Sequence, residues 1–203
     1  MSTVIHPTAV VSPTARLGAG VILHPHVTLF DFAEIGEGVE IFPGACIGRP
    51  PRATAAVSRS PTPALRTIIG RGSVIGCGAV IYADVHLGEN CLVGDHASIR
   101  EQCRIGDRCL ISRCVTLNYN VLIGAGVKIM DSSHITGNTT IGDGAFISAL
   151  VVTTNDDRMG HQGYSTDVIG PRIGERARIG AGANILSGRT VGPDAVIAAG
   201  AVV

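Results

Sequence analysis

Aliphatic residues recur at every sixth position along most of the chain. Cut from Ile5, the sequence reads IHPTAV, VSPTAR, LGAGVI, LHPHVT, LFDFAE, IGEGVE, IFPGAC, IGRPPR. The phase is lost and returns at Ile69 with IGRGSV, IGCGAV, IYADVH, continuing through ISALVV. A last block runs IGERAR, IGAGAN, ILSGRT, VGPDAV, IAAGAV. All 27 hexads carry Ile, Leu or Val at position one, and position two is often Gly. Position five is nearly always small, as at Ala9, Val21, Ala79, Cys91, Ala97, Cys109, Ser133, Ala145 and Ala183.

This pattern predicts short strands over positions five, six and one, with side chains pointing in, out and in. Positions two to four turn a corner, where Gly, Asn, Asp and His suit left-handed backbone angles. Three strands and three corners close a triangular coil of 18 residues, and stacked coils pair as parallel sheets about 4.8 Å apart. About nine coils are expected, and residue n lies beneath residue n + 18. The reading is all-β, one solenoid domain over residues 1–203. Arg189 breaks the rule by occupying a small, inward position.

Two aperiodic stretches interrupt the repeat. Residues 49–68, rich in Pro, Ser, Arg and Ala, and residues 153–172, with TTNDDRMGHQGYSTDVIGPR, read as loop excursions leaving corners. A solenoid wall is flat and repetitive, so long excursions of this kind are where a pocket is built. The 18-residue rule sets Val152 above His134 and Thr153 above Ile135. His134 is at position six, so its imidazole points outward beside the root of the second excursion, a place for a general base. His161 in that excursion is the alternative. His24 and His26 read as corner and surface residues, and His86 lies on another face.

The repeat resembles the hexapeptide-repeat acyltransferases, which fold as left-handed parallel β-helices; the handedness comes from that resemblance. The stretch VLIGAGVKIMDSSHITGNTTIGDGAFISALVVTTNDD is similar to the run of coils in sugar and nucleotide-sugar N-acetyltransferases of the superfamily. The resemblance implies a homotrimer with active sites between protomers, and acetyl-CoA as co-substrate. It implies His134 as general base, Asn155, Asp156 and Asp131 on the acceptor side, and the backbone at Ala181 and Ala199 receiving the pantetheine arm. In this subfamily Asn-type residues stand where this chain has Asp131, Ser132 and His134. The acceptor would be an amino or hydroxyl group on a sugar or nucleotide-linked sugar, with no metal and no covalent enzyme intermediate.

Three other readings stay open. The IHPTAVVSPTA opening also resembles lipid A-type acyltransferases that take long acyl chains from a carrier protein. A prism of this kind can also serve as a non-catalytic scaffold. A β-helix carbonic anhydrase would need His86, His96 and His134 to converge on zinc, which their hexad positions of six, four and six oppose. The six cysteines contain no CxxC, and Cys91, Cys103 and Cys109 fall at inward positions as small hydrophobes. The paired glycines of IGAGAN belong to the repeat and need no phosphate-loop explanation.

Composition narrows the class further. Sixteen basic residues balance sixteen acidic ones, so no basic footprint points to nucleic acid. Three Tyr, four Phe and no Trp leave little for stacking bases. No apolar run approaches the roughly 20 residues that span a bilayer, and the start lacks the basic and apolar regions of a signal peptide. The expectation is a soluble cytoplasmic enzyme whose last coil ends at AVV without a cap.

Overall fold

The computed structural model describes residues 2–56, 59–60, 66–161 and 168–203. Parts of both expected excursions, residues 57–58, 61–65 and 162–167, lie outside the described residues. The described residues form 28 strands, from β1 (Val4–Ile5) to β28 (Val196–Ile197), nearly all two or three residues long. Every third strand falls in the same sheet, giving parallel sheets of ten, nine and nine strands. Successive partners are 18 residues apart wherever no excursion intervenes, as in Ile111 against Ile129. The architecture is a left-handed parallel β-helix. The tenth strand of the first sheet adds a partial turn to the nine coils expected.

The core fills as the hexads require. Position-one residues such as Ile41, Ile75, Ile111 and Ile129 are fully buried, and so are small position-five residues such as Ala79, Val127 and Ala183. Cys91, Cys103 and Cys109 lie in the same interior. Hydroxyls are admitted where the backbone satisfies them. Ser133 Oγ donates to the Ser148 carbonyl at 2.8 Å and accepts the Val151 N–H at 3.2 Å. The one strand beyond the 27 hexads, β23 (Val152–Thr153), arises the same way. Thr153 takes position one, and its Oγ1 accepts the Thr136 N–H at 2.7 Å. A threonine thereby does the work of an aliphatic residue, which an aliphatic periodicity cannot register.

From Gly20 onward, position four turns the corners between stacked strands in the left-handed region, Thr8 and Thr14 in the first two hexads being exceptions, and the fold imposes this on unsuited residues too. Phe32 (φ 58°) and Leu150 (φ 61°) sit there beside the favourable Asn90 (φ 55°) and Asn138 (φ 64°). Such angles cost roughly 1–2 kcal/mol for a residue other than Gly, so stacking of the coils overrides local preference. Arg189 does not point inward against a packed neighbour. It is exposed, just before β27 (Thr190–Val191), the end strand of the third sheet among the described residues.

Strand boundaries are tighter around the excursions than the broken repeat suggested. β8 (Cys46–Arg49) runs through Arg49, and β9 (Thr67–Ile69) begins at Thr67. β23 (Val152–Thr153) and β24 (Arg172–Ile173) bracket the second excursion. The excursions therefore cover residues 50–66 and 154–171. Both leave the second sheet and enter the third, so both depart from the same edge of the prism.

Candidate active site

His134 opens β20 (His134–Ile135) in the second sheet, between β17 (Thr116–Leu117) and β23. Its Cα partners are Thr116 on one side and Val152 on the other. The imidazole is half-buried on the outer face. Its Nδ1 lies 2.7 Å from Thr116 Oγ1, and among the described residues no protein group meets Nε2. Desolvation by this partial burial holds its pKa below the ordinary imidazole value. The backbone beneath the ring is fixed as well, since the buried Thr153 hydroxyl donates to the His134 carbonyl at 3.4 Å.

The expected site residues all fall on this second face or its two edges. On the edge preceding His134, residues at hexad position three form a column that includes Arg113, Asp131, Ala149, Ala181 and Ala199, stepping 18 residues per coil except across the second excursion. In the lower part of the column an aspartate caps the amide below it. Asp95 Oδ1 accepts the Cys77 N–H at 2.8 Å, and Asp131 Oδ1 accepts the Arg113 N–H at 3.1 Å. Above Asp131 the capping aspartates give way to alanine. The amides of Ala149, Ala181 and Ala199 meet no protein acceptor among the described residues, and Ala181 and Ala199 are exposed. Asp131 itself is engaged with the coil below, through the Ser112 hydroxyl and an ion pair of 2.5 Å with Arg113. The Arg113 hydrogen bond, then that of Ser112, holds its carboxyl down at about 2.

On the opposite edge, the second excursion begins immediately after β23. Asn155 Nδ2 donates to the Gly137 carbonyl at 3.3 Å, tying the excursion to the corner that follows His134. Asp156 accepts the amides of Arg158 at 2.8 Å and Gly160 at 2.9 Å, closing a compact turn. His161 is exposed at the end of that turn and borders an open depression of about 630 Å³ with Arg158, Met159 and Gly160. The structure thus ties Asn155 to the corner that follows His134, with its side chain committed to the Gly137 carbonyl, and commits Asp156 to the backbone of its own turn.

The same edge carries a network that the sequence did not announce. Glu101 sits at a corner with a side chain only 2% exposed, bonded to Arg59 at 2.6 Å and Arg100 at 2.9 Å. Arg59 belongs to the first excursion. It also donates to Gln102 Oε1 at 2.7 Å and stacks on the Tyr119 ring, 3.8 Å from its centroid. Tyr119 in turn packs so closely on Gly137 that a methyl group there would approach the ring to 2.7 Å. Both excursions are therefore anchored along one edge, the first at the corners of Glu101 and Tyr119 and the second at Gly137, three residues beyond His134.

His86, His96 and His134 do not converge. His86 opens a strand of the third sheet, His134 opens one of the second, and His96 occupies a corner with φ 56°. His24 is more engaged than a surface residue, with Nε2 2.7 Å from Glu40 Oε1 and its ring stacked on Phe42. Thr116 was also missed, although the 18-residue rule that placed Val152 above His134 places Thr116 below it.

Residues 66–100, 84–118, 120–155 and 170–203 match the profile of the bacterial transferase hexapeptide family (six repeats). The chain belongs to that family. This places it in the hexapeptide-repeat acyltransferase superfamily that the repeat resembles. No curated protein matches it in sequence. Among solved structures it is similar to the UDP-N-acetylglucosamine acyltransferase of Francisella novicida, with 20% identity over 96% of this chain and 66% of that one, and a TM-score of 0.67. The UDP-N-acetylglucosamine acyltransferase of Bacteroides fragilis matches at 20% identity, over 89% of this chain and 66% of that one, with a TM-score of 0.54. At these identities the likeness is one of fold, and the chain spans about two thirds of the length of either protein.

Proposed function

We propose that this family member is a coenzyme A-dependent acyltransferase that moves an acetyl group from acetyl-CoA to an amino or hydroxyl group of a sugar or nucleotide-linked sugar. One observation carries the reading: an outward, partly desolvated imidazole with Nδ1 engaged and Nε2 without a partner among the described residues, directly below the strand from which a polar excursion departs. The acceptor nitrogen or oxygen attacks the thioester carbonyl carbon while His134 Nε2 takes its proton. The tetrahedral intermediate then expels the thiolate, which recovers a proton as free CoA thiol. General-base assistance of this kind is worth roughly 10²–10⁴-fold, and holding both substrates on one face supplies further rate.

The free amides at Ala181 and Ala199 suit the amide-rich pantetheine arm, running along the second face past Val152 toward the last coils. The acceptor enters from the opposite edge, where Asn155 and Asp156 shape the wall; Asp131 closes the site from below. The names of the two fold neighbours support a nucleotide-linked sugar as acceptor. The first sheet supports a homotrimer. Its outward row includes Ile22, Val74, Leu92, Leu110 and Phe146, with Leu92 exposed at 46%. Six unpaired cysteines suit a reducing cytoplasm. No helix among the described residues is long and apolar enough to cross a membrane.

The test is release of CoA from acetyl-CoA against a panel of nucleotide-linked amino sugars, beside long-chain acyl groups on a carrier protein. We expect turnover with acetyl-CoA and a loss of at least about a hundredfold in His134→Ala, with the assembly intact. Turnover only with the carrier-bound chain would reassign the donor. Near wild-type turnover in His134→Ala would move the base elsewhere, His161 being next.

A further inference from the structure

We infer that Thr116 is the positioning residue for His134, fixing the imidazole in the tautomer that presents an unprotonated Nε2 to the acceptor. The inference rests on the general-base reading and adds to it a residue one coil away. Thr116 Oγ1 lies 2.7 Å from His134 Nδ1, and the two residues are direct Cα partners on adjacent parallel strands. Both are at position six, so their side chains leave the same face side by side.

The need for such a partner follows from what surrounds the ring. The hydrogen bond made by one imidazole nitrogen sets the protonation of the other. The strands packed against β20 contribute Thr116 and Leu117 from below and Val152 and Thr153 from above, none of them charged or titratable. Ser132 and Ser133 precede His134, and Ser133 Oγ is spent on the Ser148 carbonyl and the Val151 amide. Asp131, the nearest carboxylate in sequence, is bound to Arg113 and Ser112. The orienting role falls to a neutral hydroxyl.

A hydroxyl suits both states of the cycle. With neutral imidazole, Nδ1–H donates to Thr116 Oγ1 and Nε2 carries the lone pair that accepts the acceptor's proton. After transfer both nitrogens carry hydrogen, and Nδ1–H still donates to the same oxygen. Only the unproductive tautomer, with hydrogen on Nε2, requires Thr116 to donate instead. Replacement by Val keeps the β-branched shape that suits an outward strand position and deletes the bond. Replacement by Ser keeps the hydroxyl.

The experiment compares Thr116→Val and Thr116→Ser with the wild type and His134→Ala, using steady-state kinetics over pH and ¹⁵N spectra of histidine-labelled protein. We expect the Val variant to lose at least about tenfold in kcat, with Ser close to wild type. The acid limb of the Val profile should move to lower pH, because its imidazolium has lost an acceptor. In the spectra the wild-type Nδ1 should be the protonated nitrogen, with the two tautomers mixed in the Val variant. A wild-type spectrum with hydrogen on Nε2, or wild-type kcat and pH profile in Thr116→Val while His134→Ala is inactive, overturns the inference. An active His134→Ala overturns instead the general-base reading beneath it. The spectra judge the hydrogen bond independently of activity.

Discussion

The anchor between the first excursion and the prism is open to a quantitative test by a double-mutant cycle on Glu101 and Arg59. Glu101→Gln keeps the side-chain volume and removes the charge that two guanidinium groups share at 2.6 and 2.9 Å. Two unit charges about 4 Å apart interact by about 4 kcal/mol at an effective dielectric of 20. Removing one partner from a fully buried pair costs about 3–5 kcal/mol. Here the arginine side chains remain 27% and 36% exposed, so water recovers part of that loss. About 2 kcal/mol is therefore expected for Glu101→Gln. Arg59→Ala should cost about 1–2 kcal/mol, because Arg100 still neutralises the carboxylate while the Gln102 bond and the stacking on Tyr119 are lost. The double variant should cost at least about 1 kcal/mol less than the sum of the singles. Urea unfolding, with slopes compared to confirm that the unfolded states match, measures all four corners of the cycle. Additivity to within about 0.3 kcal/mol would show that Arg59 and Glu101 do not sense one another, and the anchoring argument would fail.

Two further outcomes test the corners beside His134. Gly137→Ala should cost about 1–3 kcal/mol, since the new methyl meets the Tyr119 ring. Gly126→Ala, with φ +68° and open space around it, should cost only the backbone strain of about 1 kcal/mol. Thermal melts that rank the two in the reverse order would contradict this packing. Asp131→Asn should lower the melting temperature at pH 7, and its difference from wild type should shrink as pH falls. The sign follows from a folded carboxyl held at about 2. Its contribution is complete above the unfolded value near 3.9 and is lost as pH falls through the folded value. A difference between the two proteins that is constant from pH 7 to 2 would refute the Arg113–Asp131 pairing as its source.

What the sequence by itself determined is the repetitive part. A six-residue period in branched and small residues is enough to specify strand, corner and coil, because each inward pair packs only on equivalents 18 positions away. That rule placed His134 on an outer face beneath Val152, and it contains Thr116 as well. It could not register β23, whose Thr153 is held by hydrogen bonds rather than by apolar burial. Tertiary structure alone decided what meets at the corners. Corner side chains point away from the periodic core, so their partners come from neighbouring corners or from excursions that obey no period. Asp131 is bound to the coil below it. Glu101 is buried by an arginine 42 residues earlier in the chain. The excursions close on one edge, the first on Glu101 and Tyr119 and the second on Gly137, through side chains whose meeting depends on where two aperiodic segments return to the prism, and nothing in a hexad encodes that return.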